Sequence, residues 1–211
     1  MLSLPKSLYF NIRTFGFGQG IRLPFLIHYR TKVTTFRGAV ELRTPVSGFM
    51  SYFGFGGSKG VLSSGRSEIC LERGSKTVFC GRAHFAEGCS IRNDGVLEFG
   101  RNFSANKNCF ISCHEAVSFG DDITFGWNIN VRDSDGHYVI RGGKRGSVSA
   151  PVKLGPHVWI CSYCDILKGV TVGNDCVVAY RSLVTKPFPQ DHVMIGGSPA
   201  KVIGEDIDWE C

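Results

Sequence analysis

The fold is indicated most clearly by the stretch from Val152 to Val184, VKLGPHVWICSYCDILKGVTVGNDCVVAYRSLV. An aliphatic residue recurs at every sixth position, in a series that starts just before the stretch: Val148, Leu154, Ile160, Ile166, Val172, Val178 and Val184. Four positions after each of the first six, a small or β-branched residue recurs: Val152, Val158, Cys164, Val170, Cys176 and Ser182. A step of six residues does not fit the helical repeat of about 3.6, so the stretch predicts short strands that each bury one side chain.

The middle of the chain keeps this step but lengthens it at every third strand. Core-type residues recur there with a period of 20 residues, in two series: Phe79, Phe99 and Phe119, and Ile91, Ile111 and Val131. Three short strands and one longer corner per period describe a coil, and stacked coils bury a continuous core. The sequence therefore predicts an all-β fold, a parallel β-helix. Its expected core includes Phe79, Phe99, Phe119, Ile160, Val172 and Val178.

The repeat also predicts how the chain is organised. Residues 75–203 are expected to form the β-helix, with an excursion at 133–150 where the six-residue step is lost. Residues 1–74 are aromatic, contain few acids and are expected to form an irregular or β-rich N-terminal cap. Such a cap would protect the open edge of the first coil from pairing with another chain. Residues 204–211 are expected to be a short C-terminal tail.

Composition excludes several classes of protein. The chain has 211 residues, of which 43% are hydrophobic and 20% charged, and this is typical of one globular domain. The net charge of +6 would favour an anionic ligand, but no dense Lys/Arg run carries aromatic neighbours, so no nucleic-acid partner is expected. The sequence has no run of 18 consecutive apolar residues, so no transmembrane segment is predicted. The N-terminus lacks a clean apolar signal core, so a cytoplasmic protein is expected.

The nine cysteines do not predict a disulfide scaffold or a metal site. No secretory signal accompanies them, and the single CxxC, Cys161–Cys164, has no partner pair at zinc spacing. Four cysteines fall four residues after a core position, where a small apolar thiol packs inside a turn: Cys89, Cys109, Cys164 and Cys176. The zinc carbonic anhydrases built on β-helices need two histidines five residues apart, and none of the six histidines has this spacing.

Three local motifs accompany the repeat. They are VRDSDGH from Val131, KLGPHVWI from Lys153, and RSLVTKPFPQDHVMIGGSPAKVI from Arg181. In order and spacing this pattern resembles the hexapeptide-repeat acyltransferases, and among them the sugar and polysaccharide O-acetyltransferases of the maltose and galactoside type. The resemblance covers about residues 75–203. It implies that the β-helix is left-handed, which the periodicity alone does not predict.

The resemblance also implies a catalytic base. In the family, a loop that leaves the helix after the middle coils presents a histidine, and the matching residue here is His137. It is expected to take the proton of an acceptor hydroxyl as that oxygen attacks the thioester of acetyl-CoA, and imidazole suits this role near neutral pH. A carboxylate could orient the ring, and Asp133 and Asp135 are the two local candidates. Gly136 would let the loop turn sharply.

The acyl donor implied by the resemblance is acetyl-CoA, bound along the C-terminal coils. The residues expected to line its site are Trp159, Cys161, Ala179, Tyr180, Lys186 and Lys201. The two lysines lie where the family has basic residues near the nucleotide phosphates. Cys161 and Tyr180 are larger than the residues usual in the family and would narrow the groove.

The function expected from these residues is transfer of acetyl from acetyl-CoA to a hydroxyl of a sugar or polysaccharide precursor, as in polysaccharide biosynthesis. The resemblance also implies a homotrimer, in which cyclic symmetry places each site between two subunits. Two alternatives stay open. One is N-acetylation of an amino sugar with the same base and donor, and the other is a non-catalytic β-helix that serves as a scaffold or binding protein.

Overall fold

The computed structural model describes residues 2–63 and 65–210. Among them, the helix α1 (Ser3–Gly20) precedes 24 β-strands. The first twelve strands are β1 (Phe25–Ile27), β2 (Lys32–Phe36), β3 (Ala39–Leu42), β4 (Ser51–Phe53), β5 (Glu68–Leu71), β6 (Lys76–Phe79), β7 (Ala83–Phe85), β8 (Ser90–Asn93), β9 (Val96–Phe99), β10 (Phe103–Ala105), β11 (Phe110–Cys113) and β12 (Ala116–Phe119). The other twelve are β13 (Thr124–Phe125), β14 (Asn130–Arg132), β15 (Ile140–Arg141), β16 (Lys144–Arg145), β17 (Val152–Leu154), β18 (Trp159–Ile160), β19 (Asp165–Ile166), β20 (Thr171–Val172), β21 (Val177–Val178), β22 (Leu183–Val184), β23 (Met194–Gly197) and β24 (Ala200–Gly204).

The strands form three long sheets, and successive strands of the chain fall on different sheets. Sheet A has the order β1-β4-β7-β10-β13-β18-β21-β23-β24, sheet B the order β2-β5-β8-β11-β14-β19-β22, and sheet C the order β20-β17-β12-β9-β6-β3. Neighbours in these sheets are parallel except β23 and β24, which are antiparallel. Three strands thus complete one coil, and the predicted fold, a left-handed parallel β-helix, is confirmed. No helix in the described part of the chain has the length and apolarity needed to cross a membrane.

The predicted core lies inside these coils. Phe79, Phe99 and Phe119 are direct register partners on sheet C, and their rings stack with centroids 5.0 and 5.4 Å apart. Ile160, Val172 and Val178 are also buried, as predicted. Val148 does not belong to this series, because it lies half-buried outside the three sheets.

Coil length and side-chain size go together. Register partners on sheet C are 20 residues apart from Phe79 to Phe119, and these coils enclose stacked phenylalanines. From Leu154 to Val172 the separation is 18 residues, and the enclosed side chains are aliphatic. Interiors pack to near-crystalline density, so a shorter coil has to hold smaller side chains.

The structure corrects the predicted division at residues 74 and 75. Parallel pairing begins at β1, because β1 pairs with β4 and β2 pairs with β5. The periodicity did not predict the first coils, because the segments 43–50 and 54–67 interrupt the six-residue step there. The N-terminal region was predicted to be irregular or β-rich, and α1 was not predicted. Some residues on its buried face are polar. The periodic apolar pattern from which a surface helix is predicted is therefore weak.

The polar residues of α1 pair with the open edge of sheet A. Asn11 accepts the N–H of Phe25 through Oδ1 (3.0 Å) and donates to its carbonyl through Nδ2 (2.6 Å). One turn earlier, Ser7 Oγ accepts the N–H of Ile27 at 2.9 Å. Four residues of a helix rise about 6.0 Å and two residues of a strand about 6.6 Å. The spacing of Ser7 and Asn11 along α1 therefore matches the spacing of Ile27 and Phe25 along β1. The helix thereby satisfies a strand edge that would otherwise invite pairing with another chain.

Replacing Asn11 with Ala should destabilise the protein by about 2 kcal/mol or more, because a buried backbone group left without a partner costs about 1–3 kcal/mol. Asn11 is fully buried, and its amide serves both backbone groups of Phe25. Urea unfolding measures the loss. Thr14→Ala is the matched control, since the Thr14 hydroxyl bonds only within the helix, to the Phe10 carbonyl. Equal midpoints for the two variants would contradict this account of the cap.

Candidate functional site

The coils are interrupted at residues 133–150, between β14 of sheet B and β17 of sheet C. The segment closes at its neck, where Ser134 and Ser149 form an antiparallel bridge and the N–H of Asp135 donates to the Val148 carbonyl at 2.9 Å. Further out, β15 and β16 pair as an antiparallel hairpin. The excursion is therefore an ordered loop on a narrow base, at the position where the sequence predicts one.

Asp133 anchors this loop. Its side chain is fully buried, and its carboxylate accepts three backbone N–H groups of the preceding coil: those of His114 (2.7 Å), Glu115 (2.7 Å) and Ala116 (2.8 Å). Bonds from neutral donors to a buried carboxylate are among the stronger ones in proteins. Asp133 thus joins the start of the loop to the corner between β11 and β12.

Asp135 is engaged elsewhere as well. Its carboxylate forms an ion pair with Lys168, with Oδ2 and Nζ 2.6 Å apart. Within residues 2–63 and 65–210, neither Asp133 nor Asp135 contacts His137, which either of them was expected to orient. Both carboxylates hold the loop to the coils, because backbone amides occupy the first and Lys168 the second.

His137 lies beyond the neck of the loop and is exposed. It follows Gly136, whose φ of +76° is in the left-handed region that glycine adopts without strain. Within residues 2–63 and 65–210, the His137 side chain has no hydrogen bond or ion pair. The ring is therefore accessible from solvent.

A basic cleft of about 510 Å³ lies beside the loop. Four cationic side chains and one carboxylate are among its lining residues: Arg141, Lys144, Arg145, Lys168 and Asp135. The guanidinium of Arg145 also lies 5.2 Å from the ring centroid of Tyr138. The arrangement suits a polar ligand with negative charge, and the sequence pointed to it only as the RGGKR cluster.

Replacing Asp133 with Asn should cost at least about 2 kcal/mol of stability, because hydrogen bonds to charged groups contribute about 1.5–3 kcal/mol each. Asn keeps the shape but turns an N–H₂ group toward backbone donors. The matched control is Asp135→Asn, which removes an exposed ion pair and should cost less than about 1 kcal/mol. Thermal melting of the two variants makes the comparison. Equal melting temperatures would show that Asp133 is not the anchor.

The residues predicted to bind the donor lie mostly on one side of the coils. Trp159 lies on β18 and is 38% exposed, and its register partners in sheet A are Thr124 and Val177. Cys161 and Ala179 follow β18 and β21 at the same corner of successive coils. Tyr180 is exposed beside them. The structure thus brings Trp159, Cys161, Ala179 and Tyr180 together along one corner.

The two predicted lysines are placed differently from each other. Lys201 lies on β24, at the end of the same sheet as Trp159, and is exposed. Lys186 follows β22 of sheet B, and its ammonium lies 5.4 Å from the ring centroid of Phe188. Lys201 therefore lies on the same sheet as Trp159, whereas Lys186 follows a strand of sheet B.

Three aromatic or cationic neighbours of this corner were not predicted. Arg181 lies over the rings of Tyr163 and Tyr180, 5.7 and 5.6 Å from their centroids. Trp209 of the C-terminal tail approaches Trp159, with centroids 5.9 Å apart, and its indole N–H donates to the His157 carbonyl at 2.9 Å. The repeat could have indicated Arg181, which follows Tyr180 on the coil. No spacing links Trp209 to residue 159, because the tail lies outside the repeat.

The CxxC thiols are packing groups in the structure. Burial raises the pKa of Cys161, and it raises the pKa of Cys164 to about 11. Both thiols are therefore protonated near neutral pH, which disfavours attack on a thioester. Cys89, Cys109, Cys164 and Cys176 are all buried, as the repeat predicts.

One group of possible metal ligands lies at the opposite corner of sheet A. His157 Nδ1 is 2.8 Å from Asp175 Oδ1, and an oxygen of Asp208 completes a set of donor atoms within 4.8 Å of one another. The ring of Trp209 stacks on His157 at 4.3 Å. The sequence predicted no metal site, and the contacts observed here are a hydrogen bond between His157 and Asp175 and the stacked ring of Trp209, which holds the tail on the coils.

Comparison with known proteins finds similarity in part of the repeat and in several acetyltransferases. Residues 151–186 match the bacterial transferase hexapeptide (six repeats) family. The galactoside O-acetyltransferase of Escherichia coli (strain K12) is 37% identical over 115 residues, which are 53% of this chain and 55% of that protein. A putative lipopolysaccharide biosynthesis O-acetyl transferase of the same strain is 26% identical over 147 residues, covering 54% of this chain and 74% of that protein.

These matches do not extend over whole proteins. The chain spans about half the length of the first curated relatives, with 55% of the galactoside O-acetyltransferase and 44% of a probable acetyltransferase of Mycobacterium tuberculosis (strain ATCC 25618 / H37Rv). A solved galactoside acetyltransferase in complex with coenzyme A has a TM-score of 0.47 at 21% identity, over 96% of this chain and 78% of that chain. In its six-residue repeat the chain is therefore similar to the hexapeptide-repeat transferases, and its relatives include proteins named as O-acetyltransferases.

Proposed function

We propose that the protein is an O-acetyltransferase that uses acetyl-CoA to acetylate a hydroxyl group of a sugar or polysaccharide precursor. The observation that carries the proposal is the anchored loop at 133–150, which interrupts the repeat and presents an exposed His137. The named activities of the relatives support the same reaction class. A scaffold would need neither the loop nor the histidine.

The proposed reaction needs one base and one pair of substrates. A ring nitrogen of His137 accepts the proton of the acceptor hydroxyl while its oxygen attacks the thioester carbonyl. The tetrahedral intermediate collapses, the carbon–sulfur bond breaks, and the CoA sulfur leaves with the proton that the imidazolium returns. The products are an acetyl ester and free CoA, and His137 is neutral again. Holding the two substrates side by side supplies much of the rate.

The donor is proposed to lie along the corner formed by Trp159, Cys161, Ala179 and Tyr180. Cys161 and Ala179 lie at the same corner of successive coils, and the exposed rings of Trp159 and Tyr180 flank them. Lys201 at the end of the same sheet could meet a phosphate, and Arg181 adds a second cation beside Tyr180. Lys186, which follows β22 of sheet B, is proposed to be part of the donor site as well.

A homotrimer is proposed as the active form. In one subunit His137 is exposed. The carboxylate of Asp133 accepts backbone N–H groups, and that of Asp135 pairs with Lys168. A subunit interface would cover the ring and supply the group that orients it, as cyclic symmetry allows. The reaction is proposed to take place in the cytoplasm, where acetyl-CoA is made.

A thioester-cleavage assay tests the function. Free CoA thiol is followed while the protein and acetyl-CoA are mixed with neutral sugars, amino sugars, acidic sugars and nucleotide-sugars in turn. We expect at least one hydroxyl acceptor to raise CoA release about tenfold or more over hydrolysis in its absence, because a bound acceptor places its oxygen beside the thioester. Release that responds only to amino sugars would favour N-acetylation. No response to any acceptor, from a folded protein, would favour the scaffold.

A further inference from the structure

The positive charge of the protein is concentrated at one end. The first 40 residues contain six Lys and Arg and no Asp or Glu, whereas the other 171 contain 18 of each sign. The whole net charge of +6 therefore belongs to α1 and the strands next to it. None of the six cations forms a salt bridge within residues 2–63 and 65–210: Lys6, Arg13, Arg22, Arg30, Lys32 and Arg37.

A cleft beside α1 collects most of these cations. It has a volume of about 830 Å³ and runs between the helix and β2. Six cationic side chains and the single carboxylate of Glu72 line it, and the cations are Lys6, Arg13, Arg30, Lys32, Arg37 and Arg66. Lys6 donates to the carbonyls of Tyr29 and Thr31 at 2.6 and 2.7 Å, which keeps its charge near the cleft. Unpaired cations that converge in this way attract a surface with many negative charges.

The outer face of α1 is apolar. Ser7 and Asn11 face the coils, and the side chains that face away are largely hydrophobic: Leu2 is 73% exposed, Leu4 43%, Leu8 40%, Tyr9 65% and Phe17 70%. A terminal cap of a solenoid normally has a polar outer face, which keeps the end of the stack in water. Here apolar side chains lie beside the cations, the pattern of helices that lie in a membrane interface.

We propose that this end of the solenoid docks on an anionic lipid bilayer. The cap surface, which consists of the outer side chains of α1 and the cations of the neighbouring cleft, would lie against the headgroups, with Leu4 and Leu8 inserted between them. The proposal does not rest on the function proposed above.

The two other possible occupants fit less well. A soluble acidic polysaccharide would neutralise the cations but leave Leu2, Leu4 and Leu8 in water. A second copy of the chain would cover the leucines but oppose six positive charges with six. A surface that is both apolar and negatively charged would cover the apolar side chains of α1 and also neutralise the cations of the cleft.

Vesicle sedimentation tests the proposal with the full chain. Vesicles of phosphatidylcholine alone are compared with vesicles that also contain phosphatidylglycerol. We expect the anionic vesicles to bind at least about tenfold more tightly, since each cation near such a surface adds to the attraction, and we expect salt to weaken binding. Equal binding to both kinds of vesicle, or binding to neither, would overturn the proposal.

Paired variants separate the two contributions. Arg30→Gln with Arg37→Gln should weaken binding to anionic vesicles several-fold, whereas Arg132→Gln with Lys153→Gln changes the net charge equally on another part of the coils and should not. Leu4→Ser with Leu8→Ser should also weaken binding, with Val96→Ser as the control at an exposed apolar residue of β9. Unchanged vesicle binding by the leucine variant, with heparin bound as tightly as the vesicles, would identify a polyanion site instead. A leucine-dependent dimer without lipid would identify a second copy as the occupant.

Discussion

Replacing Val172 with Asp should leave the protein largely unfolded. Val172 is 1% exposed, and its register partner on the preceding coil is Leu154. A carboxylate at this position would be enclosed by apolar side chains and without a partner, and losses above about 4 kcal/mol are expected for such changes. Since domains of this size have about 5–15 kcal/mol of stability in total, most of it would be lost.

The neighbouring residue provides the matched control. Thr171 precedes Val172 in β20, and its half-buried side chain points to the opposite face of the strand. Thr171→Asp introduces the same carboxylate outside the coil and should cost less than about 1 kcal/mol, as surface substitutions generally do. Thermal and urea unfolding distinguish the two variants. A Val172→Asp protein that melts like the wild type would contradict the core assignment.

Replacing His137 with Ala should lower turnover by at least about a hundredfold, because a positioned general base contributes about 10²–10⁴-fold. The ring is exposed on a loop that is held by Asp133 and by Lys168, so its removal should leave melting and assembly unchanged. The loss should fall on kcat and not on KM for acetyl-CoA, since the imidazole acts on the proton of the acceptor.

His114→Ala is the control for this change. His114 lies at the corner held by Asp133, but its contribution there is a backbone N–H that alanine keeps. Its exposed ring lies 4.0 Å from Asp94, so little activity should depend on it. If His137→Ala keeps near-wild-type transfer while His114→Ala loses it, the base has been assigned to the wrong histidine.

The sequence predicts the fold where the repeat is regular. The 20-residue period alone predicts that Phe79, Phe99 and Phe119 stack on successive coils, and these residues are direct register partners. The first two coils could not be found in this way, because the insertions at 43–50 and 54–67 remove the period. The helix α1 was missed for a chemical reason: the face it buries carries Ser7 and Asn11, which pair with a strand edge.

The site could be predicted only in outline. The break in the repeat indicated the loop, and the family resemblance pointed to His137, but the contacts that Asp133 makes were not predicted. Spacing alone shows an aspartate four residues from a histidine, and it does not show that the same carboxylate reaches amides of the preceding coil. The 20-residue period contained a usable signal, since it places Asp133 above Cys113, next to those amides.

The chemical identity of the product distinguishes O-acetylation of a sugar from the alternatives. The acceptor is recovered after incubation with acetyl-CoA and examined by mass spectrometry before and after treatment with hydroxylamine, which cleaves esters and spares amides. We expect an acetyl ester on a sugar hydroxyl, removed by hydroxylamine and formed in step with free CoA. An acceptor that stays unmodified across all classes of sugar, or a product that resists hydroxylamine, would contradict it.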